Sequence, residues 1–160
     1  MNPGLPILVT FIPLAVMVRS DIRTRRVSVY WLLLFLLAAF VSAGLYLGGT
    51  TMAGRLKINL TFLLLLYIFL GFYVCVVRRR AFLSFTGTIG LGDLIFLPAL
   101  SPFFELRDFV LFLTVAFLFS LGIYGLFKLF GKDRSWRSIP LISTVGICFM
   151  VYIPVMLWKG

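Results

Sequence analysis

Acidic residues are scarce in this chain, five against fifteen lysines and arginines, and one of them stands where its type and surroundings suit chemistry. Asp93 closes the run Gly90-Leu91-Gly92-Asp93, with Thr86-Gly87-Thr88-Ile89 before it and the apolar stretch Leu94–Leu100 after it. Lacking a Cβ, Gly90 and Gly92 can take backbone angles closed to other residues and let a second chain come close. A loop of that kind can hold an extended peptide against the Asp93 carboxylate. The alternative is that Asp93 caps the next helix, accepting hydrogen bonds from free N–H groups of its first turn. A second aspartate, Asp21, lies in the basic stretch Ser20-Asp21-Ile22-Arg23-Thr24-Arg25-Arg26-Val27. Two carboxylates facing each other in a partly dry cavity cannot both ionise cheaply, so one keeps a proton while the other stays charged. Such a pair can hydrolyse an amide: the charged member takes a proton from water, and the protonated member polarises the carbonyl that the water attacks.

The elements that position these residues are membrane helices. A hydrophobic content of 62%, a charged content of 12% and a mean hydropathy of +1.12 exclude an ordinary soluble globule. The net charge of +10 sits in short basic blocks between apolar runs, the pattern of membrane loops rather than of a nucleic-acid surface. The chain has no histidine, and its two cysteines, Cys75 and Cys148, stand alone inside apolar segments. The usual zinc and haem ligands are therefore missing, and neither a metal, a cofactor nor a disulfide is expected. No basic residue precedes the first apolar segment, which does not read as a cleaved signal peptide.

A spanning helix needs about 20 mostly apolar residues. Six segments qualify or come close: Pro3–Val18, Val29–Leu47, Ile58–Val77, Leu94–Phe104, Phe109–Phe130 and Ile139–Trp158. The fourth is short and holds Pro98 and Pro102, so it is expected to be broken or recessed, with the glycine loop completing its depth. Irregular backbone at that depth is tolerated only inside protein or against a wet cavity. The expected fold is a single all-α membrane domain over residues 1–160, with six transmembrane helices. Six crossings place eleven basic residues on one side: Arg19, Arg23, Arg25, Arg26, Arg78, Arg79, Arg80, Lys128, Lys132, Arg134 and Arg137. The other side holds four: Arg55, Lys57, Arg107 and Lys159. The positive side is cytoplasmic and both termini face out, which puts Asp21 and Asp93 at the cytoplasmic ends of the first and fourth segments.

The remaining features have plainer readings. Glu105, Arg107 and Asp108 are interfacial charges of the outer loop, Asp133 is a solvated loop residue, and Arg78–Arg80 anchor the orientation. The spacing Gly44-Leu45-Tyr46-Leu47-Gly48 would let two helices approach closely. Pro13 is expected to kink the first segment, and most of the 18 phenylalanines to face lipid or pack.

The glycine-aspartate run and the second aspartate together resemble the type IV prepilin peptidases and the related archaeal preflagellin peptidases, membrane aspartyl proteases with a GxGD motif. Gly90-Leu91-Gly92-Asp93 matches that motif. Asp21, in a basic stretch after the first segment, matches the family's other aspartate. Ile139-Pro140-Leu141 is similar to the isoleucine-proline-phenylalanine turn that opens the last helix of the family. Where many members have a lysine two residues after the motif aspartate this chain has Ile95, and Val27-Ser28-Val29 stands in place of an isoleucine-proline-asparagine turn. The resemblance implies an aspartic endopeptidase of the cell inner (cytoplasmic) membrane, with Asp21 and Asp93 catalytic. Its substrates would be prepilin-like proteins with a short basic leader, a small residue before the cut and an apolar helix after it. No cytoplasmic insert with paired cysteines is present, so the chain looks like the short, peptidase-only form.

Two other readings stay open, an inactive relative and a small transporter or assembly subunit, since intramembrane acids also mark ion paths. A transporter site is expected near the bilayer midplane, whereas Asp21 lies among arginines near an interface. The topology itself is testable. A reporter fused after Lys159 should be active outside the cytoplasm and one inserted near Lys132 inside it; the reverse pattern would put both aspartates on the outer face.

Overall fold

The computed structural model describes residues 7, 9–24, 27–78, 91–130 and 141–159. Gly87, Gly90, Arg25, Arg26, Arg79, Arg80, Lys132, Asp133, Arg134, Arg137 and the Ile139-Pro140 step lie outside these residues. The described residues form six α-helices: α1 Phe11–Thr24, α2 Val29–Leu47, α3 Gly49–Arg78, α4 Leu91–Leu100, α5 Leu106–Phe130 and α6 Leu141–Lys159. A 3-10 turn, Ser101–Phe103, follows α4, and no strand occurs among the described residues. The protein is an all-α membrane protein. Helices α2, α3 and α5 are long and apolar enough to cross a bilayer, and shorter apolar helical stretches cover Gly92–Phe103 and Ile142–Val155. Apolar side chains such as Leu37, Leu64, Phe69 and Leu118 point outward; in water they would be a liability, and in lipid they are the solvent-facing surface.

Because hydrocarbon offers no hydrogen bonds, apolar segments satisfy their backbone by coiling into helices. Where a helix breaks, a side chain must substitute. Proline at position 98 cannot donate to the helical ladder, and α4 ends two residues later, at Leu100. The carbonyls freed there are met by Asn59 of α3, which is fully buried. Its Nδ2 donates to Ser101 O at 2.7 Å and to Phe104 O at 2.9 Å, while Ser101 Oγ donates to Pro98 O at 2.7 Å. The fourth segment is thus short and broken, as expected, and Asn59 makes its irregular end tolerable. Aromatic rings close over that end: Phe104 lies 4.7 Å from Tyr152 and 4.8 Å from Phe112, centroid to centroid. Many of the phenylalanines therefore serve packing, including Phe35 against Phe96 at 5.4 Å.

Four sequence expectations change in detail. Helix α1 runs through Thr24, one turn past Asp21, so Asp21 lies within the helix rather than after it. Pro13 sits in the first turn of α1, because the chain turns at Thr10, whose N–H and Oγ both donate to Ile7 O. Ile7 and Val9 ahead of that turn are helical, so the expected break in the first segment falls at Thr10, three residues before a proline that has no N–H to carry the ladder across it. The connection after α2 is a single residue, and α3 begins at Gly49, taking in Arg55 and Lys57. Gly48 is that connection, with φ 80° and ψ 149°, a region effectively open to glycine alone; it turns the chain rather than forming part of a helix-packing motif. Finally, Glu105 is paired, accepting from Arg55 Nη2 at 2.7 Å. An ion pair this exposed contributes about 0–1 kcal/mol, but it joins the start of α3 to the start of α5.

Helices α1 and α6 pack tightly because Gly146 lets them. A Cβ at that position would lie 2.8 Å from Val18 Cγ2 and 3.3 Å from Leu14 Cδ1, and a β-branched valine in a helix has almost no other rotamer to retreat to. At Gly92 an added Cβ would meet only Ile142 Cδ1, the end of a flexible chain, at 3.2 Å. Gly146→Ala should therefore destabilise the protein by about 1–3 kcal/mol and Gly92→Ala by clearly less. Thermal unfolding in detergent measures both, and equal effects would contradict this packing.

Candidate functional site

Three helix ends meet on the side opposite the Asn59 anchor: the last turns of α1 and the first turns of α4 and α6. On α1, Arg19, Ile22 and Arg23 are exposed while Asp21 is 8% exposed. The helical period directs the carboxylate inward and the guanidinium groups outward. On α6, which begins at Leu141, the first four N–H groups have no partner within the helix. Ser143 carries one of them. Its N–H donates to Asp21 Oδ2 at 3.0 Å and its hydroxyl to the same oxygen at 2.5 Å. Val18 O is 3.5 Å from that hydroxyl, and since Ser143 has one hydroxyl proton, the short contact to Asp21 takes it. Asp21 is thereby an N-terminal cap for α6 supplied from another helix. A negative group there also complements the positive end of the helix dipole.

Asp93 is half-buried in the first turn of α4. The helix starts at Leu91, two residues before it, so Asp93 lies past the capping position that the sequence left open for it. Gly92 lets this turn lie against α6, its Cα side facing Ile142. Ile142 directly precedes Ser143, which holds Asp21, so this turn stands beside the helix end that carries the Asp21 carboxylate. Of the residues singled out in the sequence, Asp21, Asp93 and Gly92 thus gather at one end of three packed helices, and Gly90 lies outside the described residues.

Ser143 escaped the sequence reading. Its signal was the adjacent pair Ser143-Thr144 at the start of an otherwise apolar helix, both residues buried. What the arrangement offers chemically is one carboxylate fixed in orientation through Oδ2 and a second on the adjoining helix end. No family model matches the chain, no curated protein matches it, and no solved structure matches its fold.

A hydrogen bond to a charged group contributes about 1.5–3 kcal/mol, and Ser143→Ala removes the hydroxyl bond while leaving the N–H bond in place. The variant should unfold at lower temperature by a shift corresponding to about 1–2 kcal/mol. In the background of Asp21→Ala the same substitution should cost much less, because the acceptor is gone; undiminished loss in the double variant would break the link between the two side chains.

Proposed function

We propose that this protein is a membrane-embedded aspartic endopeptidase that removes the short basic leader from prepilin-like proteins at the cytoplasmic face of the cell inner membrane, both of its own termini lying outside. The observation that carries this reading is the meeting of Asp21 and Asp93 at one end of packed apolar helices, Asp21 held by Ser143 and the Gly92-Asp93 turn seated against the neighbouring Ile142. The basic-residue count supports a cytoplasmic position for that end, and the resemblance to GxGD peptidases supports the substrate class. Gly92 seats the first turn of α4 against Ile142, which keeps Asp93 beside the helix end that holds Asp21, and an extended leader would lie along that end.

In the reaction, one carboxylate takes a proton from water as the water oxygen adds to the scissile carbonyl carbon, and the other carboxyl gives its proton to the carbonyl oxygen. The tetrahedral diol then collapses, the C–N bond breaks, and the amine leaves with a proton returned from the pair. No metal or cofactor takes part. Asp21 Oδ2 already accepts two hydrogen bonds from Ser143, so the exchangeable proton of the pair belongs on one of the other three oxygens.

The test is cleavage of a prepilin-like substrate by the purified protein in detergent or vesicles. Asp21→Asn and Asp93→Asn keep side-chain size and should each abolish cleavage while the protein inserts at normal levels. The double variant should be scarcely worse than either single one, since the two act as a unit. Asp133→Asn should cleave normally. Near-normal cleavage by Asp21→Asn with loss in Asp93→Asn would dissolve the pair and leave Asp93 needing another partner.

A further inference from the structure

One polar group near this site has no structural role among the described residues. The Tyr67 hydroxyl of α3 is buried and has no hydrogen-bond partner among the described residues, although phenolic hydroxyls usually find one when buried. Its place follows from the helix geometry. Asn59, Leu63 and Tyr67 recur every fourth residue and so share one face of α3. That face is turned inward, with Asn59 and Leu63 fully buried and Leu60, Leu64 and Ile68 beside it exposed.

Helices α3 and α4 run antiparallel, pinned where Asn59 holds Ser101 O. Eight residues along α3 from Asn59 is Tyr67, and eight residues back along the fourth segment from Ser101 is Asp93. At 1.5 Å per residue both steps are about 12 Å, so Tyr67 stands level with Asp93. No hydrogen bond joins the two side chains among the described residues. A buried donor level with Asp93, and without a partner among the described residues, is available to a third group held at the site.

We infer that the Tyr67 hydroxyl donates a hydrogen bond to the scissile carbonyl oxygen of a peptide bound at the Asp21–Asp93 site, an inference that rests on the peptidase reading. The phenol keeps its proton throughout; it polarises the carbonyl and strengthens its hydrogen bond as negative charge gathers on that oxygen during attack. A donor aimed where charge develops acts mainly on the transition state, so its loss falls on kcat rather than KM. Substrate carbonyl also supplies an acceptor that the described residues do not.

Tyr67→Phe removes only the hydroxyl and keeps the ring in the core. With a prepilin-like substrate, kcat should fall by about a hundredfold while KM changes by no more than about twofold. Both limbs of the pH profile should stay where they are in the wild type, because the two carboxylates are untouched. Unfolding temperature should be unchanged or higher, since an unpartnered buried hydroxyl does not stabilise the resting fold. Full kcat in Tyr67→Phe, with Asp21→Asn and Asp93→Asn both inactive, would overturn the role of Tyr67 and leave the peptidase reading standing. A shifted limb would overturn it too, showing that Tyr67 acts through Asp93, and a lowered unfolding temperature would show a structural role. If wild-type protein cleaves no prepilin-like substrate at all, the peptidase reading fails and this role fails with it.

Discussion

The structure depends on one constraint, that backbone N–H and C=O groups inside hydrocarbon find their partners within the protein. Continuous helices meet it by themselves, and α2, α3 and α5 need nothing more. The short fourth segment and the buried start of α6 do not. Asn59 supplies two donors to the carbonyls left by the break after Pro98, and Asp21 supplies an acceptor to the first turn of α6. Each of these side chains also pins a helix pair, α3 to α4 and α1 to α6. Satisfying the backbone therefore sets the helix arrangement, and the arrangement places the carboxylates.

Hydropathy made the six segments legible, because a run of apolar residues long enough to cross lipid has few alternatives to a helix. The boundaries were less legible. Arg19 and Arg23 suggested that the first segment stops before Asp21, yet a helix can continue through charges when its outward face holds them and its inward face holds only the aspartate. Gly44 and Gly48 share a spacing with helix-packing motifs, and only the positive φ of Gly48 separates a turn from such a motif. Arg55 and Lys57 suggested a loop, but at an interface long basic side chains reach water from within a helix.

The residues that went unread share a property. Asn59, Tyr67 and Ser143 are single polar residues inside apolar runs, and a hydropathy window averages them away. Their partners lie far off in sequence, more than 40 residues for Asn59 and more than 100 for Ser143. Periodicity held part of the signal: Asn59 and Tyr67 sit two helical repeats apart on one stripe, which places both toward the protein interior. What each polar group meets there follows only from how the helices pack.

At Asp21 the observed cap and the proposed catalytic role draw on different atoms. The cap uses Oδ2, and a carboxylate has two oxygens. Holding Oδ2 between two donors of one residue removes the rotational freedom of the group, which is the condition for a reacting oxygen to lie in a reproducible place. Asp93 is positioned differently, on the first turn of a ten-residue helix whose far end is seated on Asn59. One member of the pair is therefore fixed by its own hydrogen bonds and the other is carried by a helix. Their separation is set by the seat of α4, some 12 Å from the carboxylates by helical rise, so substitutions at Asn59 act on the site without touching it.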